Sequence, residues 1–125
     1  MINYEDFMKA LKELTERAKD GAVVLVEGRR DVEALKGLGV EGKILPVSSV
    51  SRAKLVESVE GDVIILTDWD EKGERLKREI FEILLSNGVT ADTSIRKKIF
   101  SAVNVNEVED LVKVYIKLHT HPRSL

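Results

Sequence analysis

The chain has 125 residues, a length that suits one domain, and 43% of them are hydrophobic, enough for one real core. Charged residues make up 34% and nearly cancel at −2 net, which argues against bulk-charge retention on nucleic acid but leaves room for a local basic face. Zero cysteines exclude disulfides, thiolate-bound zinc and thiol chemistry; no apolar run approaches the roughly 20 residues of a membrane span, and Met1-Ile2-Asn3-Tyr4 does not open a signal peptide, so a cytoplasmic protein is expected.

Taken in chain order, Phe7, Leu11, Leu14 and Ala18 recur at helical spacing and predict an amphipathic helix ending near Gly21. Ala22 to Val26 is a continuous apolar run, the mark of a strand buried on both faces of a parallel sheet. Val32, Ala34, Leu35 and Leu38 predict a helix closing at Gly39, and Ile44-Leu45-Pro46-Val47 a short strand whose proline suits an end or an edge. Ser51 reads as an N-cap with Leu55, Val56 and Val59 behind it. Val63 to Leu66 is a second buried strand, and Glu71 to Asn87 a long helix stopped by Asn87-Gly88. Val89 to Ala91 is a weak fourth strand, Ser94 caps a helix carrying Ile95, Ile99 and Phe100, and a last helix runs from Glu107 to Leu118, after which Thr120 to Leu125 fray. Strand and helix alternate, so the expected fold is α/β: a Rossmann-like, doubly wound, mainly parallel four-stranded sheet flanked by helices, in one domain over 1–125 with its core at about 20–100.

Both buried strands end on acids. Glu27 follows the first, and Asp68 and Asp70 follow the other. Two unit charges about 5 Å apart repel by roughly 3 kcal/mol at an effective dielectric near 20, so a cation, a shared proton or separation of the groups must relieve them. In an open parallel sheet, ligands gather at the carboxyl ends of strands where connections diverge, and a 2-1-3-4 strand order would bring Glu27 and Asp68 together there. Three hard oxygen ligands without His or Cys favour Mg²⁺ or Mn²⁺ over zinc. Gly28 and Gly73 would allow close backbone approach at the two turns.

Val-Glu-Gly-Arg-Arg-Asp at 26–31, followed by Thr-Asp-Trp-Asp-Glu-Lys-Gly-Glu-Arg-Leu at 67–76, resembles the Toprim domain of topoisomerases, bacterial-type primases, OLD-family nucleases, recombination mediators and ribonuclease M5. Glu27, Gly28, Asp68 and Asp70 match the Glu-Gly and Asp-x-Asp pattern, and Asp31 matches a frequent acidic position. The resemblance spans roughly residues 20–100 and is nearest to small stand-alone Toprim proteins related to ribonuclease M5, whose Ile-Arg segment resembles Asp92 to Lys98. It implies metal-assisted phosphodiester chemistry. Asp68 and Asp70 are then Mg²⁺ ligands, Glu27 is a general acid/base or a further ligand, and Asp31 stands behind them. Arg29, Arg30, Lys72, Arg75 and Arg96 are candidate phosphate contacts.

Plainer readings stand beside these. Glu27 alone also suits a helix N-terminus, Glu71 and Glu74 suit a solvated first turn, and Arg29-Arg30 and Arg96-Lys97-Lys98 suit solvated faces. Trp69 is a base-stacking residue or a lid or partner contact. Tyr115 and Tyr4 read as packing residues rather than nucleophiles, and His119-x-His121 as part of the tail. A nuclease acting on RNA or DNA is the leading functional expectation. Its rivals are a non-catalytic nucleic-acid module that depends on a protein partner, and a small-phosphate binder.

Overall fold

The two continuous apolar runs form the middle of the molecule. In the computed structural model, which describes residues 1–120, β1 (Val23–Val26) pairs in parallel with β3 (Val63–Ile65), Val23 opposite Val63 and Leu25 opposite Ile65. On its other side β1 pairs in parallel with β2 (Ile44–Pro46), Val24 opposite Ile44. The order is therefore β2-β1-β3. Pro46 sits on an edge strand, where a missing N–H costs least.

Around the sheet lie α1 (Tyr4–Lys19), α2 (Arg29–Gly37), α3 (Arg52–Ser58), α4 (Glu71–Ser86), α5 (Ser94–Ala102) and α6 (Leu111–Thr120). The caps are chemical. Asn3 and Ser51 accept backbone amides at the starts of α1 and α3, and Asp70 accepts the Gly73 amide at the start of α4. At the far end of α4, Gly88 takes a φ of +83°, the left-handed turn anticipated after Asn87.

The strands' period of two divides the core. Val24, Val26, Ile64 and Leu66 face α1, α2, α5 and α6, while Val23, Leu25, Val63 and Ile65 face Leu55 of α3 and Ile80 and Leu84 of α4. Helices on both faces make the sheet doubly wound, and explain why the strands read as unbroken apolar runs rather than alternating ones. Each fully buried Leu or Ile contributes roughly 1.5–3 kcal/mol of transfer free energy, so both faces matter to stability.

Two expected elements differ. Val89–Ala91 is not a strand, and the described residues form three strands instead of four. At that place the chain makes one parallel bridge, Asp92 to Ile64, with Asp92 N–H on the Val63 carbonyl at 2.8 Å and Ile65 N–H on the Asp92 carbonyl at 2.9 Å. The ladder stops there because the Asp92 side chain caps α5. Its Oδ1 accepts the Ser94 amide at 2.6 Å and the Ile95 amide at 3.2 Å, turning the chain away from the sheet. Asp92 thus holds the capping role expected of Ser94, which is the first residue of α5.

The expected last helix opens instead as a single 3₁₀ turn (Val108–Asp110) that leads into α6. Thr120, expected to fray, is the last residue of α6, its hydroxyl donating to the Ile116 carbonyl at 2.8 Å. The remainder of the expected frayed tail, with His121, lies outside the described residues. Tyr115 packs, partly buried, against the core, and its ring stacks on His119. Among the described residues no helix is long and apolar enough to cross a membrane.

Candidate metal and nucleic-acid site

The β2-β1-β3 order sends the first crossover to one side of β1 and the second back past it, so the carboxyl ends of β1 and β3 adjoin at the point where connections diverge. Glu27 leaves β1 there and Asp68 follows β3. The Asp68 amide donates to Glu27 Oε2 at 2.9 Å, which fixes the two acidic turns against one another. The other acids are tied down in the same manner. Gly28 N–H donates to Asp31 Oδ2 at 3.1 Å, Gly73 N–H to Asp70 Oδ1 at 2.7 Å, and Val108 N–H to Asp68 Oδ1 at 2.8 Å. Each of the four carboxylates thus commits one oxygen to a backbone amide, and among the described residues no protein donor takes the second.

Gly73 makes the third-strand turn possible. A Cβ there would stand 1.9 Å from the Asp68 carbonyl oxygen, and the Gly73 carbonyl also accepts the buried Thr67 hydroxyl at 2.8 Å. Gly28 is different: a Cβ on it would meet only Ser48 Oγ, at 3.7 Å, with φ at −148°. The close approach expected at both glycines occurs at Gly73.

The electrostatics follow from this crowding. Burial drives the Asp68 carboxyl upward; the Val108 amide opposes it, but Glu27, Asp31 and Asp70 push the same way, leaving it at about 7. Burial likewise raises Asp31, against the Gly28 amide and with Glu27 and Glu109 adding to the rise. Among the described residues, no lysine or arginine pairs with Glu27, Asp31, Asp68 or Asp70; the nearby cations pair elsewhere, Arg30 with Glu109 and Arg96 with Glu74. Four hard oxygens without protein partners, beside a carboxyl that resists ionising, suit a divalent cation chemically. Geometrically the set is open: among the described residues no three acidic or imidazole side chains meet around one point fit for an ion. Each carboxylate is held by its own backbone N–H: Glu27 and Asp70 at the turn from β3 into α4, Asp31 at the turn after β1, and Asp68 at Val108.

The basic residues fall into three groups. Arg29 and Arg30 start α2, exposed, on a cleft shared with Glu109 and Lys113. Lys72 and Arg75 are exposed on the first turns of α4, and Arg75 lines a cleft with Trp69 and Asp70. Arg96 behaves otherwise. It is 2% exposed, and its guanidinium donates to the Thr67 carbonyl at 2.9 Å, the Asp68 carbonyl at 2.7 Å and Glu74 at 3.1 Å. The expectation of a solvent-facing phosphate contact is corrected there: Arg96 is a strut that holds the Asp68–Asp70 loop against α5, and the Trp69 ring lies over it at 4.7 Å.

Several contributors escaped the sequence reading. Val108 supplies the amide that binds Asp68, and the Asn106 carbonyl accepts the Trp69 amide at 2.7 Å, so residues 106–108 brace the site from outside the motif. Backbone groups leave no side-chain signature, so nothing in the residue types marked them. Asp92 was readable in principle, as an acid two residues before a helix start. It pairs with Arg17 across the α1·α5 contact, and although burial pushes its carboxyl up, Arg17, the Ser94 hydroxyl and the Ile95 and Ser94 amides together hold it below the usual range.

Comparison with known proteins agrees with this geometry. Residues 22–103 match the Toprim domain. A UPF0292 protein of Archaeoglobus fulgidus is 37% identical over 121 residues, covering 94% of this chain and 96% of its own. Another, from Thermococcus onnurineus, is 36% identical over 120 residues, covering 93% and 88%. A solved structure of a protein from Aquifex aeolicus superposes with a TM-score of 0.74 at 31% identity, covering 82% of this chain and 95% of that one. The three parallel strands with Glu27 and Asp68 at adjoining ends are compatible with the Toprim fold, and the chain belongs to the Toprim family, among its UPF0292 proteins.

Proposed function

We propose that this protein is a small nuclease that performs divalent-metal-dependent phosphodiester chemistry on nucleic acid. Toprim domains typically bind divalent ions such as Mg²⁺, and membership implies a function connected with nucleic acid. The observation that carries the reading is the set of carboxylate oxygens on Glu27, Asp68 and Asp70 where β1 and β3 end, which among the described residues have neither a second protein donor nor a protein cation to balance them. Those three residues would hold the ion, with Asp31 behind Glu27. A bound Mg²⁺ would supply charge stabilisation for a phosphoryl oxygen and for the attacking or leaving oxygen. The chain's own residues contribute the rest. Glu27 is placed to hold or move a proton, Arg96 keeps the Asp68 loop rigid, and Arg29, Arg30, Lys72 and Arg75 stand exposed on the two flanking helices for phosphate contacts. A ribonuclease M5-like preference for RNA rests on the resemblance of Asp92 to Lys98 alone.

A second reading has its own support. Because the carboxylates do not meet at one point, a module that binds metal and nucleic acid but relies on a partner to complete its chemistry fits the same geometry. The deciding experiment is cleavage of labelled structured RNA, single-stranded DNA and supercoiled plasmid in Mg²⁺, Mn²⁺ and EDTA, with calorimetric metal binding alongside. Cutting that needs metal and disappears in Glu27→Gln and Asp70→Asn upholds the nuclease; metal binding without cutting of any substrate moves the assignment to the partner-dependent module.

A further inference from the structure

Trp69 is a large apolar side chain placed, at a cost, in solvent between the two aspartates of the motif. It is 37% exposed. Beneath it lie Arg96, its guanidinium carbon 4.7 Å from the ring centroid, and Phe100, stacked at 5.9 Å with 20° between planes. Arg96 and Phe100 are one turn apart on α5, so both contacts to the ring come from one helix, and both residues are themselves buried. The loop beneath is equally fixed: the Trp69 amide is bonded to Asn106, and Arg96 holds the carbonyl of Asp68. The ring is therefore held in place by α5, is partly exposed, and lines an open cleft.

The walls of that cleft specify what rests on it. Asp70, Glu71 and Glu74 line its inner part, next to the acidic site, while Arg75 and Arg78 line it farther along α4. Positions 71, 74, 75 and 78 fall on one stripe of the helix. Glu74 is neutralised by Arg96 and Lys77, whereas among the described residues neither Arg75 nor Arg78 has a carboxylate partner. A flat apolar ring next to two unpaired guanidinium groups suits a flat apolar group carrying a phosphate.

We propose that Trp69 is the stacking site for one unpaired nucleobase of a single-stranded nucleic acid, whose adjoining phosphates run along Arg75 and Arg78. This deepens the nucleic-acid reading above and rests on it: the substrate at the acidic site is a single strand or an unpaired loop, because bases within a duplex cannot lay a face on the ring.

Trp69 is the sole tryptophan, so intrinsic fluorescence reports this site alone. The test titrates the full chain in EDTA with single-stranded oligonucleotides, DNA and RNA in separate arms, and with the matching duplexes; anisotropy of labelled strands runs in parallel. Single strands should quench the emission and duplexes should not, and the DNA and RNA arms name the strand. Trp69→Ala should weaken single-strand binding by about tenfold or more, with Trp69→Phe recovering part of it and circular dichroism confirming a folded chain in both. Arg75→Ala and Arg78→Ala should each lower the salt slope of binding by roughly 0.7. Unchanged single-strand affinity in Trp69→Ala, or duplex binding as tight as single-strand binding, overturns the stacking site while leaving a nucleic-acid function standing. Failure of every oligonucleotide to bind, in EDTA and again in Ca²⁺ or Mg²⁺, removes both. Emission that changes with protein concentration alone assigns the face to a second copy of the chain instead.

Discussion

At the scale of single residues, the informative feature is a carboxyl that resists ionising. Asp68 titrates near 7 in the folded chain because burial and three neighbouring acids disfavour its charge, whereas in the unfolded chain it titrates near the usual 3.8. The folded state therefore holds a proton that the unfolded state releases, and this contribution is complete below pH 4 and lost as pH rises through 7. Allowing for solvent screening, it amounts to about 1–2 kcal/mol. Chelator-treated protein should lose stability between about pH 4 and 7 in urea titrations, and Asp68→Asn, which keeps an oxygen for the Val108 amide, should flatten that loss and be more stable than wild type at pH 8. Arg96 is the complementary case. Replacing it with alanine leaves the Thr67 and Asp68 carbonyls without their buried donor, an expected loss of about 2–4 kcal/mol in chemical denaturation. The motif acids were legible in the sequence because Glu-Gly and Asp-x-Asp each follow an apolar run. The fate of Arg96 was not, since its neighbours in sequence, Lys97 and Lys98, are exposed and only packing against Thr67 and Asp68 separates it from them.

Elements were legible to different degrees. Long helices with a regular apolar stripe, α1 and α4, could be read because periodicity survives whatever surrounds it. The fourth strand failed because a run as short as Val89-Thr90-Ala91 says nothing about whether an edge will accept it, and the Asp92 cap ends the pairing after one residue. Local capping chemistry prevailed over a weak strand tendency. The turn between β3 and α4 shows a stricter constraint. With the Asp68 carbonyl 1.9 Å from where a Cβ would stand, Gly73→Ala must displace the loop that carries both aspartates. An expected cost of about 2–4 kcal/mol should appear as a lower urea midpoint, together with weakened metal binding; Gly28→Ala, which meets no such obstacle, should cost under about 1 kcal/mol.

For the whole molecule, the acidic crevice predicts coupling between ion binding and folding. An ion bound only by the native state raises stability by about 2.7 kcal/mol at a hundred times its Kd. Added Mg²⁺ should raise the melting midpoint of wild type and leave that of Asp70→Asn in place. A midpoint that rises equally in both would point to non-specific binding elsewhere.

The sequence by itself determined the α/β class, the buried strands and the identity of the acids, because burial on both faces and a charge at a strand end are written in residue types and their spacing. Only the tertiary structure decided which side chains meet. It brought Val108 and Asn106 to the Asp68 loop, buried Arg96 while leaving Arg75 and Arg78 in solvent, and set Trp69, still partly exposed, against Arg96 and Phe100. The physical reason is that these contacts join segments distant in the chain through backbone groups and solvent exclusion, neither of which any single stretch of sequence encodes.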